Sequence, residues 1–182
     1  MAHMHAGVMA KPRTFATITD SFNRADSTST MGSTDTGQTW TYQSGTWGIT
    51  SNTAYPVTAS GQLTAVVESS VSDCTVQVTH STAGSSPGLC WRATDDNNYW
   101  LVAGLTAYKR VAGGFTSMGS TGGIADGDVL SVVLSGASHV IKKNGSTVLT
   151  ISSDSFNQTA TKHGLRAQVN NSRFDNFSVT VP

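Results

Sequence analysis

Short runs of alternating apolar and polar residues, closed by Gly, Asn, Asp or Ser, recur from residue 14 to the carboxyl end, and windows of helical periodicity are few. Alternation of this kind places successive side chains on opposite faces of a β-strand. Strands are predicted at 14–20, 40–43, 47–50, 53–56, 62–68, 74–80, 87–94, 98–105, 108–112, 115–120, 129–135, 139–143, 146–151, 162–169 and 173–180. So many short strands imply an all-β sandwich or barrel.

Individual turns carry their own chemistry. Asn144-Gly145 separates 140–143 from 146–149, and this pair suits the two positive φ values of a type I′ hairpin. Asp95-Asp96-Asn97-Asn98 reads as a polar turn between strands, and Asp126-Gly127-Asp128 as the turn before strand 129–135. Strict alternation puts Trp91 with Leu89 on the core face and Cys90 with Arg92 on the other. It pairs Tyr99 with Leu101 and Trp100 with Val102, so one of these two aromatics shares the outer surface with Arg92; the pattern leaves open which.

Length and composition narrow the picture. The 182 residues suit one domain. Charged residues make up 12% and sum to a net charge of zero, which removes the basic field that nucleic acid or an anionic membrane would require. No run approaches the roughly 18 consecutive apolar residues of a spanning helix, and residues 1–11 lack the basic and apolar regions of a secretory signal. Cys74 and Cys90 fall on strands whose pairing does not set them opposite each other, so two reduced thiols are expected.

Candidate chemistry is sparse. Asp20, Asp26, Asp35, Asp95, Asp96, Asp126, Asp128, Asp154 and Asp175 fall almost entirely in predicted turns, and Glu68 is the only Glu. A glycosidase needs two carboxylates flanking a cleft, and no predicted strand carries a Glu-x-Asp-x-Glu pattern. His80, His139 and His163 stand apart from any nucleophile motif. The chain is therefore read as a non-enzyme without a cofactor. Asp95, Asp96, Asp126 and Asp128 are candidate Ca²⁺ ligands, with turn-forming Asx residues as the alternative. Arg92, Tyr99, Trp100 and Tyr108 form the candidate ligand surface, since an exposed aromatic face stacks on a sugar ring; core packing is the alternative for each aromatic.

From Asp20-Ser21-Phe22-Asn23-Arg24-Ala25-Asp26-Ser27 onward, the chain resembles the laminin-G-like, concanavalin-type jelly-roll domains of phage virion proteins and multidomain carbohydrate-active proteins. Trp40, Gly45-Thr46-Trp47-Gly48-Ile49, Gly88-Leu89-Cys90-Trp91-Arg92, Gly164-Leu165-Arg166 and Arg173-Phe174-Asp175-Asn176-Phe177 continue the resemblance in order. It implies a two-layer antiparallel β-sandwich over residues 14–182; independently, Phe174, Phe177 and Val179 can bring the last strand back to the core, with the first strand around Phe22 beside it. It also implies a virion accessory protein, either a minor tail component or a capsid decoration protein, that contacts host-surface glycan. The alternative is a carbohydrate-binding module of an extracellular carbohydrate-active protein.

Residues 1–13 fit no strand rhythm. Met1, Met4, Val8 and Met9, spaced by small residues, offer adaptable apolar contacts without a periodic face, so this segment is expected to be an arm that docks on other virion proteins. The chain is expected to be a homo-oligomer or present in many copies, with no nucleic acid partner and no membrane insertion.

Overall fold

The computed structural model describes residues 17–84 and 86–181; the expected arm, with Met1, Met4, Val8 and Met9, lies outside the described residues. The strands are β1 (Ile18–Asp20), β2 (Thr41–Ser44), β3 (Trp47–Thr50), β4 (Thr53–Pro56), β5 (Ser60–Glu68), β6 (Thr75–Thr82), β7 (Gly88–Asp95) and β8 (Asn98–Ala103). The chain continues with β9 (Thr106–Val111), β10 (Gly114–Ser120), β11 (Val129–Ser135), β12 (Ser138–Lys143), β13 (Ser146–Ile151), β14 (Lys162–Val169) and β15 (Arg173–Thr180).

The strands form two antiparallel sheets. The first runs β13-β12-β11-β6-β15-β4-β3, with β1 also paired to β15; the second runs β10-β9-β8-β7-β14-β5-β2. The first and last described strands are partners, Ile18 opposite Val179 and Asp20 opposite Phe177. Asn144 and Gly145 have φ of 50° and 81° between β12 and β13, as the hairpin sequence predicts. Strand 98–105 is shorter than its pattern suggests: it ends at Ala103, and Gly104 at φ 59° opens the turn.

The core between the sheets follows the alternation. Leu63, Ala65 and Val67 of β5, Leu89 and Trp91 of β7, Trp100 and Val102 of β8, and Leu165 and Ala167 of β14 meet Val76 and Val78 of β6 and Val132 and Leu134 of β11. A smaller cluster lies on the opposite side of the second sheet, where Val66, Cys90, Ala93, Tyr99 and Leu101 are also buried.

The opening motif builds a latch. Asp20 accepts both Nη groups of Arg24, at 3.0 and 2.7 Å, the Phe22 amide at 2.9 Å and the Trp40 indole N–H at 2.7 Å. These bonds hold Phe22 at φ 53°, with its ring buried beside Trp40. Asp26 accepts the Ser51 amide at 2.8 Å, so the motif's second Asp fastens the β3–β4 turn.

Arg92 departs from the alternation. It adopts φ 48° where the β7–β8 register slips between Trp91 and Asp95, a bulge that turns its side chain away from the outer face. The guanidinium is buried instead against Ser72 O, Asp73 at 2.9 Å and the His139 ring. Cys74 and Cys90 are both free and both buried.

Candidate functional site

Alternation on the second sheet also determines what lies outside it. With Leu165 and Ala167 of β14 turned inward, Arg166 and Gln168 face out; with Leu63 of β5 inward, Gln62 faces out. The β9–β10 register sets Phe115 opposite Arg110 and Ser117 opposite Tyr108, which brings all four to the same face. Gln62, Ser86, Ala103, Tyr108, Phe115, Arg166 and Gln168 line a hollow of about 270 Å³ there. A second hollow of about 420 Å³ shares Ser86, Ala103 and Tyr108 with it and extends to Leu105 and Ile124.

The rim is apolar and open. Phe115 is 45% exposed and Leu105 62%, two of the three large hydrophobic residues exposed among the described residues; Val111, at the β9–β10 turn, is the third. Tyr108 and Phe115 meet edge to face, with ring centroids 5.9 Å apart and planes at 75°. The Arg110 guanidinium lies 5.1 Å from the Phe115 ring centroid and 5.5 Å from that of Tyr99.

The floor is polar and cationic. Arg166 is only 3% exposed; its Nη1 donates to Ser86 O at 2.9 Å and its Nη2 to Gln62 Oε1 at 2.8 Å. Its buried Nε has no hydrogen-bond partner. Burial lowers the guanidinium from its ordinary value, the nearby Tyr99 and Cys90 oppose that shift, and Arg110 adds to it. No carboxylate lines either hollow.

The residues proposed from sequence as a ligand surface separate in the structure. Tyr108 lines both hollows. Tyr99 is the aromatic of its pair that faces outward, yet it is buried beneath this surface, and its hydroxyl accepts from Arg110 at 3.1 Å. Trp100 lies on the core side, where its indole N–H donates to Phe156 O at 2.9 Å and Lys109 covers its ring. Arg92 is excluded from the surface by its bulge. Sequence reasoning passed over Gln62, Arg166, Gln168 and Phe115; the alternation of Leu165 and Ala167 was the signal that could have placed Arg166 and Gln168.

The candidate Ca²⁺ ligands hold turns. Asp95 accepts from the Asn97 amide at 2.8 Å and from Asn98 Nδ2, and Asp96 accepts from Asn97 Nδ2. Asp126 accepts the Ala83 amide, and Asp128 accepts the Ala125 amide and Asn144 Nδ2, each at 2.7 to 2.8 Å. The Asp95 bond to the Asn97 amide is that of an Asx turn, whereas Asp126 and Asp128 tie their loop to Ala83 and Asn144. Among the described residues, no three His, Cys, Asp or Glu side chains gather as a metal-binding group.

The histidines sit inside the sandwich. Trp91 Nε1 donates to His139 Nδ1 at 3.0 Å, while Arg92 Nη1 lies 3.2 Å from His139 Nε2. Both neighbours are donors, and a neutral imidazole accepts at one nitrogen only, so the two contacts compete. His163 Nδ1 accepts the Arg92 amide, and its Nε2 donates to Val71 O at 3.0 Å. Among the described residues, no helix is long and apolar enough to cross a membrane.

Solved structures resemble this architecture. The carbohydrate-binding module CBM66 from Bacillus subtilis superposes with a TM-score of 0.65 at 19% identity, over 78% of this chain and 94% of that one. The fold is a jelly roll. LamA from Zobellia galactanivorans, in complex with laminaritriose and laminaritetraose, gives 0.55 at 11% identity over 92% and 100% of the two chains. The Emp46p carbohydrate recognition domain gives 0.54 at 11% identity over 78% and 87%. No protein-family model and no curated protein matches the sequence.

Proposed function

We propose that this domain is a non-catalytic glycan-binding module whose ligand lies on the outer face of the second sheet, against Tyr108 and Phe115. The observation that carries this reading is the pair of half-buried Tyr108 and exposed Phe115 at the rim of two joined hollows, the first of them floored by amide and guanidinium groups. Apolar ring faces stack on the C–H face of a sugar, and the amides of Gln62 and Gln168 suit its hydroxyls. The binding module and recognition domain among the structural neighbours support the same reading. Neighbours named as hydrolases share the architecture, but the hollows here lack the carboxylate pair that glycoside hydrolysis uses.

A glycan array tests the proposal, followed by calorimetry with Tyr108→Ala and Phe115→Ala. Each variant should keep the parent melting temperature to within a few degrees and weaken the best ligand by about tenfold or more, equivalent to roughly 1.4 kcal/mol. An array without binding, or variants that bind as the parent does, overturns it.

The setting in a phage particle, as a minor tail or capsid decoration protein docked through residues 1–13, rests on the sequence resemblance. Mass spectrometry of purified particles tests that setting. The module of an extracellular carbohydrate-active protein fits the structural neighbours better.

A further inference from the structure

Arg166 presents an unusual arrangement for a buried cation. It is 3% exposed, and it makes no ion pair among the described residues, whereas the other well-buried guanidinium, Arg92, faces Asp73 at 2.9 Å. Burying a charge without a counter-charge is costly, so such groups are normally paired. The two hydrogen bonds of Arg166 go to neutral oxygens, those of Ser86 and Gln62. A guanidinium has five N–H donors. Three are therefore left over, and one of them is the buried Nε that lacks any partner.

The surroundings add positive charge and nothing to neutralise it. Arg110, on the same face, donates to Asp96 O, Tyr99 Oη and Asn97 Oδ1, all neutral acceptors. The hollow that Arg166 floors contains amides and aromatic rings but no Asp or Glu. Among the described residues, Arg166 thus has no counter-charge on this face.

We propose that the glycan bound on this face carries an anionic sugar unit, and that Arg166 receives its acidic group while Tyr108 and Phe115 hold the ring. The inference rests on the glycan-binding reading above and names its substrate class. A planar guanidinium fork matches a carboxylate or a sulfate through two parallel hydrogen bonds. Gln62 holds the fork in place through Nη2, so the donors are oriented before ligand arrives.

Calorimetry with four probes decides the matter: oligogalacturonate, the same oligomer with its carboxylates methyl-esterified, a sulfated galactan oligomer, and a neutral laminarin oligomer. Oligogalacturonate or the sulfated galactan should bind at least about tenfold more tightly than both uncharged probes, and the preferred acid identifies carboxylate or sulfate. Its affinity should fall as NaCl rises. Gln168→Glu, at an exposed position lining the same hollow, places a carboxylate beside Arg166 without touching the core. It should reduce the acidic probe's affinity by about tenfold or more and leave the fold intact by circular dichroism. Tighter or equal binding of the uncharged probes overturns the acidic-ligand inference and leaves the glycan-binding reading standing. Failure of all four probes, together with an empty glycan array, overturns both.

Discussion

The indole N–H of Trp40 donates to Asp20 Oδ2 at 2.7 Å, across twenty residues of sequence and inside the protein. Arg24 closes on the same carboxylate from the solvent side, its side chain about a quarter exposed while that of Asp20 is fully buried. Removing the carboxylate strands an indole N–H and an amide and leaves Arg24 with only Met31 O and the more distant Asp35. Asp20→Ala should cost about 3–5 kcal/mol, the range for breaking one partner of a buried ion pair. Urea denaturation checks this; a loss below about 1 kcal/mol would show that the latch is ornamental.

Acid should destabilise the fold through its histidines. Burial pulls His80, His139 and His163 down to about 4, with Arg92 adding to the effect at His139 and His163. Their ordinary value is 6.5, so the unfolded chain takes up these protons first as pH falls. The associated stability is complete above about pH 6.5, declines towards pH 4, and levels off once the folded histidines protonate as well. Each is worth on the order of 3 kcal/mol over that window at about 1.4 kcal/mol per pH unit. His80→Phe, beside the Phe174 ring, should remove about a third of the slope. Denaturation midpoints between pH 7 and pH 4 that do not change would refute this.

The thiols should be inert in the folded protein. Burial raises both Cys74 and Cys90 to about 12, against the opposing pull of Arg92 and Arg166 respectively. Thiolate is the reactive form. A maleimide or Ellman's reagent should therefore modify neither at pH 8 without denaturant, and both in denaturant. Rapid labelling of native protein would disprove it.

Gly164 should tolerate no side chain. A Cβ there would fall 1.9 Å from the Ala65 carbonyl oxygen, on the neighbouring strand β5. Gly164→Ala should lower stability by about 1–3 kcal/mol or more, since the strands must part to accept it. Because Arg166 lies on the same strand, affinity for the proposed glycan should fall as well. A melting temperature equal to the parent's would show that β5 and β14 separate freely.

Sequence periodicity carried the strands, the core face of Trp91 and the Asn144-Gly145 hairpin, because each depends on a few adjacent residues. It did not carry Arg92. Nothing in Cys90-Trp91-Arg92-Ala93 marks the residue that takes positive φ, and alternation carried through it assigns the wrong face. The site was hidden for a different reason. Gln62 and Arg166 are separated by 104 positions and meet only because β5 and β14 pair. Tyr108 was legible as an aromatic on a short strand, but its partner Phe115 required the β9–β10 register.

The pairing of β1 with β15 sets how the domain answers a pull. Ile18 lies opposite Val179, and both chain directions leave from that same end of the ladder. Tension applied through the two ends opens this pair like a zipper, one rung at a time, instead of loading all rungs in shear. Three residues in, the tear reaches Asp20 and its bonds to Arg24 and Trp40. The sandwich thus has a soft seam with a rivet at its inner end, and single-molecule traces should show a low-force step before the rivet gives.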